Sequence, residues 1–166
     1  MIRALLCSLL ALSLSACATM HRLDAASDVH ALLIAIRDND QAAFDMHVDR
    51  RALKAQLASR IDYGAIEDKR LGKLAGLLGS TFVDVAGDVF IQPEVFKLVA
   101  RYYGYTPETP IPSSLAIASM LKELPDGRVC ATRKKDGPCL ITFTKEGEAW
   151  RLTSYDGDPG MLRLKL

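Results

Sequence analysis

Apolar positions recur at helical spacing through the first two thirds of this chain, and at a spacing of two toward its C-terminus. Ser27 and Asp28 read as caps for a helix whose apolar stripe is Val29, Leu32, Leu33 and Ile36. Asp38-Asn39-Asp40 interrupts that stripe and supplies the next cap, for a short helix carrying Ala42, Ala43, Phe44 and Met46 and ending near Val48. Asp49 precedes a third helix with Leu53, Leu57 and Ile61 on one face, stopped at Tyr63-Gly64. Asp68 to Leu78 is again helical, with Gly72, Gly76 and Gly79 giving it a face open to close approach. The stretch 82–91 is rich in Val but broken by Asp84, Gly87 and Asp88, and periodicity leaves helix and strand both open there. Pro93-Glu94 opens a helix through Phe96, Leu98, Val99 and Tyr102 to Gly104.

Pro107, Pro110 and Pro112 mark an extended linker. Ser113 or Ser114 then caps a helix expected to run through Met120 and Leu124 to Pro125. After Asp126-Gly127 the period becomes two, over Arg128–Arg133, Cys139–Lys145 and Ala149–Asp156, with reversals at Lys135-Asp136-Gly137-Pro138 and Glu146-Gly147-Glu148. Helices followed by strands indicate an α+β domain, with N-terminal helices packed on a C-terminal antiparallel β-meander.

The N-terminus departs from this pattern. Arg3 precedes an apolar and small-residue stretch from Ala4 to Leu14, and Leu14-Ser15-Ala16-Cys17 closes it. That arrangement is a secretory signal, and its last four residues resemble the lipobox of bacterial lipoproteins, in which the cysteine thiol takes a diacylglycerol. The stretch from Ala4 to Cys17 is 14 residues, short of the roughly 20 that span a bilayer. The expected organisation is a signal peptide at 1–16, a tether at 17–26 and a single α+β domain at 27–166. Ala18 rather than Asp after Cys17 resembles the sorting pattern for the outer membrane, so the protein is expected there, lipid-anchored and facing the periplasm.

Charge and cysteine usage follow from that processing. The chain has 21 Lys and Arg against 20 Asp and Glu, and loss of Arg3 with the leader balances them. A balanced surface lacks the positive field that phosphate backbones require, which argues against nucleic acid. Attachment to the membrane then falls to lipid on Cys17 rather than to a polybasic segment. Cys7 leaves with the leader, so Cys130 and Cys139 are the two thiols of the folded part. In an oxidising periplasm they are expected to form a disulfide, because a redox or metal pair would want Cys-x-x-Cys spacing or neighbouring histidines.

Several stretches resemble one family. Ala35-Ile36-Arg37-Asp38-Asn39-Asp40, followed by Phe44, Val48-Asp49, Leu53 and Leu57, is similar to the opening of domain of unknown function 2939. Phe82-Val83-Asp84 to Gln92-Pro93-Glu94 and the closing Trp150-Arg151-Leu152-Thr153 resemble the same family, so the likeness runs from about residue 27 to 155. It implies an envelope protein of unknown role and brings no functional residues.

Candidate chemistry is sparse. Asp38, Asp40, Asp45, His47 and Asp49 cluster in sequence, and Asp with His can bind metal or move protons. Cap preferences explain Asp38, Asp40 and Asp49 without a site, and leave His47 as a lone surface or junction histidine. Asp156-Gly157-Asp158 lacks the remaining ligands of a calcium loop, and Arg133-Lys134-Lys135 reads as a solvated hairpin tip. No phosphate loop, Gly-x-Ser-x-Gly or His-Glu-x-x-His occurs. Tyr102, Tyr103 and Tyr105, followed by the prolines, offer either a partner-binding surface or a helix end packed over the sheet with one ring exposed. The expectation is a non-enzymatic module without cofactor, metal or catalytic residues, working through an envelope protein partner. The alternative is a binder of a lipid or small apolar ligand in a pocket between helices and sheet.

Overall fold

The computed structural model describes residues 2–60, 80–102, 104–132 and 137–156, with side chains from Met20 onward apart from those of 60, 80–83, 86 and 102. Helix α1 runs from Ile2 to Asp38 without a break. It passes through the segment read as a tether, and Ala25 and Ala26 in that segment are fully buried. The packed body therefore begins before residue 27, and Asp28 lies inside the helix rather than at its cap. No Gly or Pro separates Met20 from Ser27, and Leu23 and Ala26 continue the stripe of Val29 and Leu33 upstream. A cap signal yields when apolar periodicity continues through it.

The end of α1 follows its sequence closely. Asn39 takes a left-handed conformation at φ 57°, Asp40 N–H donates to Ala35 O at 2.9 Å and Asn39 N–H to Ile36 O at 3.4 Å. These are the two bonds of a Schellman cap. Asp40 then caps α2 (Gln41–Met46) by accepting from Ala43 N–H at 3.0 Å. Asp49 caps α3 (Arg50–Arg60) in the same way through Ala52 N–H at 3.0 Å. The expected third-helix stop and the glycine-bearing helix 68–78 lie outside the described residues.

The undecided stretch is helix α4 (Ser80–Phe90). Asp84 and Asp88, one turn apart, both reach Lys54 of α3, at 3.8 and 2.7 Å, which fixes them on one helical face. Helix α5 (Pro93–Tyr102) ends with Gly104 at φ 86°, and repeats the α1 cap with Tyr105 N–H to Ala100 O and Gly104 N–H to Arg101 O.

Helix α6 begins as expected, with Ser113 accepting from Ala116 N–H, but it stops at Met120 rather than Leu124. Leu121–Glu123 is strand β1, paired antiparallel with β2 (Val129–Thr132). Leu124 N–H to Arg128 O and Gly127 at φ 82° make Asp126-Gly127 the turn of a hairpin. The helical pattern of 121–124 loses because the backbone of β2 supplies a partner that the local sequence does not reveal.

Strands β3 (Cys139–Glu146) and β4 (Ala149–Tyr155) complete an antiparallel meander in the order β1-β2-β3-β4. Helix α1 packs on α2, α5, α6 and the sheet. Between them lie Ala25, Val29, Leu32, Phe44, Val129, Phe143, Trp150 and Leu152. Phe44 meets Phe96 of α5 edge to face at 5.3 Å. Among the described residues, no helix is long and apolar enough to cross a membrane.

Candidate functional site

The Asp/His cluster of the sequence is dispersed by the fold. Asp38 binds its neighbour Arg37 through two hydrogen bonds at 2.7 and 2.9 Å. Asp40 and Asp49 are engaged as caps, while Asp45 accepts from Gln41 and from Arg50, the latter at 2.7 Å. His47 points the other way, into the body, and is only 8% exposed. Of the two places the sequence left open for it, surface or junction, it takes the junction: it caps the end of α2, its carbonyl accepts from Leu152 N–H at 2.9 Å, and this link to β4 carries the ring inward. Its Nδ1 stands 3.7 Å from Asp28 Oδ1, beyond hydrogen-bond distance, and has no hydrogen-bond partner among the described residues. Nor, among the described residues, do three or more His, Cys, Asp or Glu side chains converge in a metal-holding arrangement.

The concentrated polar chemistry sits instead on the seam between α1 and β4. Asp28 Oδ2 accepts the backbone N–H of Trp150 at 2.7 Å. One turn earlier, Asp24 Oδ2 accepts from the indole of the same tryptophan at 2.9 Å and from Lys145 Nζ at 2.8 Å. Above the indole lies His21, edge to face at 5.6 Å, and it pairs with Glu123 of β1 at 3.4 Å. Trp150 is fully buried, so these carboxylates satisfy donors that would otherwise be stranded. The spacing of Asp24 and Asp28 on one helical face was the sequence signal for this arrangement. Its partner lies more than 120 positions away, which hides it from local reading.

Two carboxyl groups on this side of the fold titrate in opposite directions. The hydrogen bond from Lys145, then that from Trp150, holds the Asp24 carboxyl below the usual aspartate value. Burial first, and then the charge of Asp49, pushes the Glu146 carboxyl above the usual glutamate value.

Cys130 and Cys139 are joined, with Cα atoms 5.6 Å apart. They are not directly opposite in the ladder: Cys130 pairs with Thr142 and Cys139 with Thr132 across a register shift. The bridge crosses the β2–β3 hairpin diagonally and closes a short loop whose tip, 133–136, lies outside the described residues.

The tyrosines are not brought together as a described surface. Tyr105 is 58% exposed beyond the α5 cap, while the side chains of Tyr102 and Tyr103 lie outside the described residues. A nearby open depression of about 140 Å³ is lined by Asn39, Glu94, Lys97, Leu98 and Arg101. Its polar rim differs from the apolar pocket between helices and sheet that a lipid binder requires, and among the described residues Trp150, Phe44 and Val129 are fully buried in the core. Cys17 lies on α1, three residues before Met20, and the Asp158 end of the calcium-like stretch falls outside the described residues.

Comparison with known proteins gives one result. The chain matches the family described as Protein of unknown function (DUF2939) over residues 5–99, more than half of its length. No curated protein and no solved structure matches it.

Proposed function

Since the chain belongs to the DUF2939 family, whose function is unknown, we propose from its own residues that it is a bacterial lipoprotein acylated on Cys17, held at the outer membrane with its α+β domain in the periplasm. The observation that carries this reading is the short apolar leader ending in Leu14-Ser15-Ala16-Cys17. The Cys130–Cys139 disulfide supports it, because such bonds persist in oxidising compartments.

Within that setting the domain acts as a protein-interaction or envelope-maintenance module rather than an enzyme. Support comes from what the described polar groups are engaged in: Asp24, Asp28, Asp40 and Asp49 all satisfy backbone or indole donors of the fold. Residues committed to holding a fold together are poorly placed to turn over a substrate.

Mass spectrometry of the mature protein extracted from its membrane tests the anchor. The expected N-terminus is Cys17 carrying diacylglycerol, and Cys17→Ser is expected to accumulate uncleaved. An N-terminus elsewhere, or an unmodified Cys17, overturns the reading. A protein retained in fixed ratio through gentle extraction supports the interaction role, and turnover of a substrate by the purified protein overturns it.

A further inference from the structure

Helix α6 has an outer face without charge. Its seven residues, Ser114-Leu115-Ala116-Ile117-Ala118-Ser119-Met120, include none that ionises. Ile117 and Ala118 turn into the core, which leaves Leu115, Ala116, Ser119 and Met120 outward in one stripe. Leu115 is 72% and Met120 51% exposed. A surface helix in water ordinarily turns charged and polar side chains outward, so this stripe calls for a cover.

Its place in the fold indicates which. Helix α6 runs antiparallel to α1: His30 meets the Pro112 carbonyl just before α6 starts, and His21 meets Glu123 just after it ends. The Met120 end therefore lies beside the start of the packed part of α1, where Met20 is 68% exposed. Cys17 is three residues upstream on the same unbroken helix, about 4.5 Å of rise. Among the described side chains, which begin at Met20, the first that is fully buried is Ala25, only about 12 Å along the helix from Cys17. One headgroup layer of a bilayer is roughly 5–8 Å deep, so a body whose core starts this close to its acylated residue has little room to stand away from the membrane.

Resting on the acylated Cys17 proposed above, we infer that the outer face of α6, together with Met20, seats on the lipid surface. Helices α1 and α6 lie along the leaflet, and the domain is held against the bilayer instead of hanging from a tether. Leu and Met are suited to the boundary between headgroups and acyl chains, where an apolar helix face is buried while its backbone bonds stay intact.

The test uses the acylated full chain in vesicles of phosphatidylethanolamine and phosphatidylglycerol, with a nitroxide on Leu115→Cys and, separately, on Arg51→Cys of α3. The Cys17 mass is read from the same samples. The label at 115 is expected to be several-fold less accessible than that at 51 to a water-soluble relaxing agent, and more accessible to oxygen. Replacing Leu115 and Met120 by Glu is expected to return a label at Ser119→Cys to water. Equal accessibility at 115 and 51 on a protein verified as acylated overturns the seat and leaves the lipoprotein reading intact. Shielding that appears in native membranes but not in pure lipid, or only at high protein density, overturns it in favour of a protein partner or a second copy. An unmodified Cys17 overturns both readings.

Discussion

Among the described residues, the seam between α1 and β4 and the seam between α3 and α4 are built from different materials. At the first, Ala25, Val29, Leu32, Trp150 and Leu152 interlock and two aspartates meet the donors of Trp150. At the second, Lys54 reaches Asp84 and Asp88, which are 65% and 61% exposed, while Val85 and Val89 face outward. Buried apolar area with satisfied polar groups carries large free energies, whereas exposed ion pairs are worth at most about 1 kcal/mol. Among the described residues, the contrast places most of the stability at the α1 side and leaves the Asp84 and Asp88 ion pairs of the α4 side as the weaker contacts.

Trp150→Ala tests the strong seam most severely. It removes a fully buried indole together with its hydrogen bond to Asp24, and denaturant unfolding is expected to show a loss of about 3–5 kcal/mol. A cost under about 1 kcal/mol, typical of ordinary surface substitutions, would break the comparison.

The disulfide comes next. With both cysteines changed to Ser, the closed loop of sequence separation nine is lost, and loop-closure entropy predicts about 2.5 kcal/mol less stability. The same bond predicts that neither Cys130 nor Cys139 in the wild type alkylates under denaturing, non-reducing conditions.

Asp28→Ala leaves the Trp150 amide without its acceptor, at an expected cost of about 1–3 kcal/mol in chemical denaturation. Asp28→Asn keeps an acceptor oxygen and should cost clearly less. Equal costs for the two would show that charge toward His47, rather than the hydrogen bond to Trp150, is what Asp28 provides.

Titration sets Asp24 of the strong seam against Glu146 beside the α3 cap. Asp24 has its folded value lowered, so its contribution is present above the ordinary aspartate range and is lost as pH falls through the folded value. Glu146 has its folded value raised, so its contribution is full below the ordinary glutamate range and is lost as pH rises through the folded value. Melting temperature followed against pH should therefore show Asp24→Asn destabilising most at neutral pH and little in acid. Glu146→Gln should stabilise at neutral pH, where it removes the burden of a charged, partly buried carboxylate beside Asp49.

The smallest effect belongs to the weak seam. Asp88→Asn should change stability by less than about 1 kcal/mol, and added salt should shrink the difference further. A loss as large as that of Trp150→Ala would show that the α3–α4 edge is not the weak one.

Legibility followed the range of the interactions. The caps at Asp40, Asp49 and Ser113, the turn at Gly147 and the end of α5 at Gly104 all stood in the sequence, because each depends on residues a few positions apart. The disulfide partners were found by elimination, yet their diagonal placement depended on a register shift in β2–β3 that no local signal marks. The helical character of α4 was not decided by its own apolar pattern, which fitted helix and strand alike. β1 depended on β2, and His47 was turned inward by β4.

What the sequence alone determined, then, is the α+β order of elements, the caps and turns that bound them, the two cysteines that pair and the apolar stretch that closes at Leu14-Ser15-Ala16-Cys17. Tertiary structure decided where the packed body begins, the strand at 121–123, the dispersal of the Asp/His cluster and the clasp of Asp24 and Asp28 on Trp150. The division has one physical cause: backbone torsion and capping are settled within a turn of the chain, while burial and long-range hydrogen bonding wait on segments that meet only in the fold.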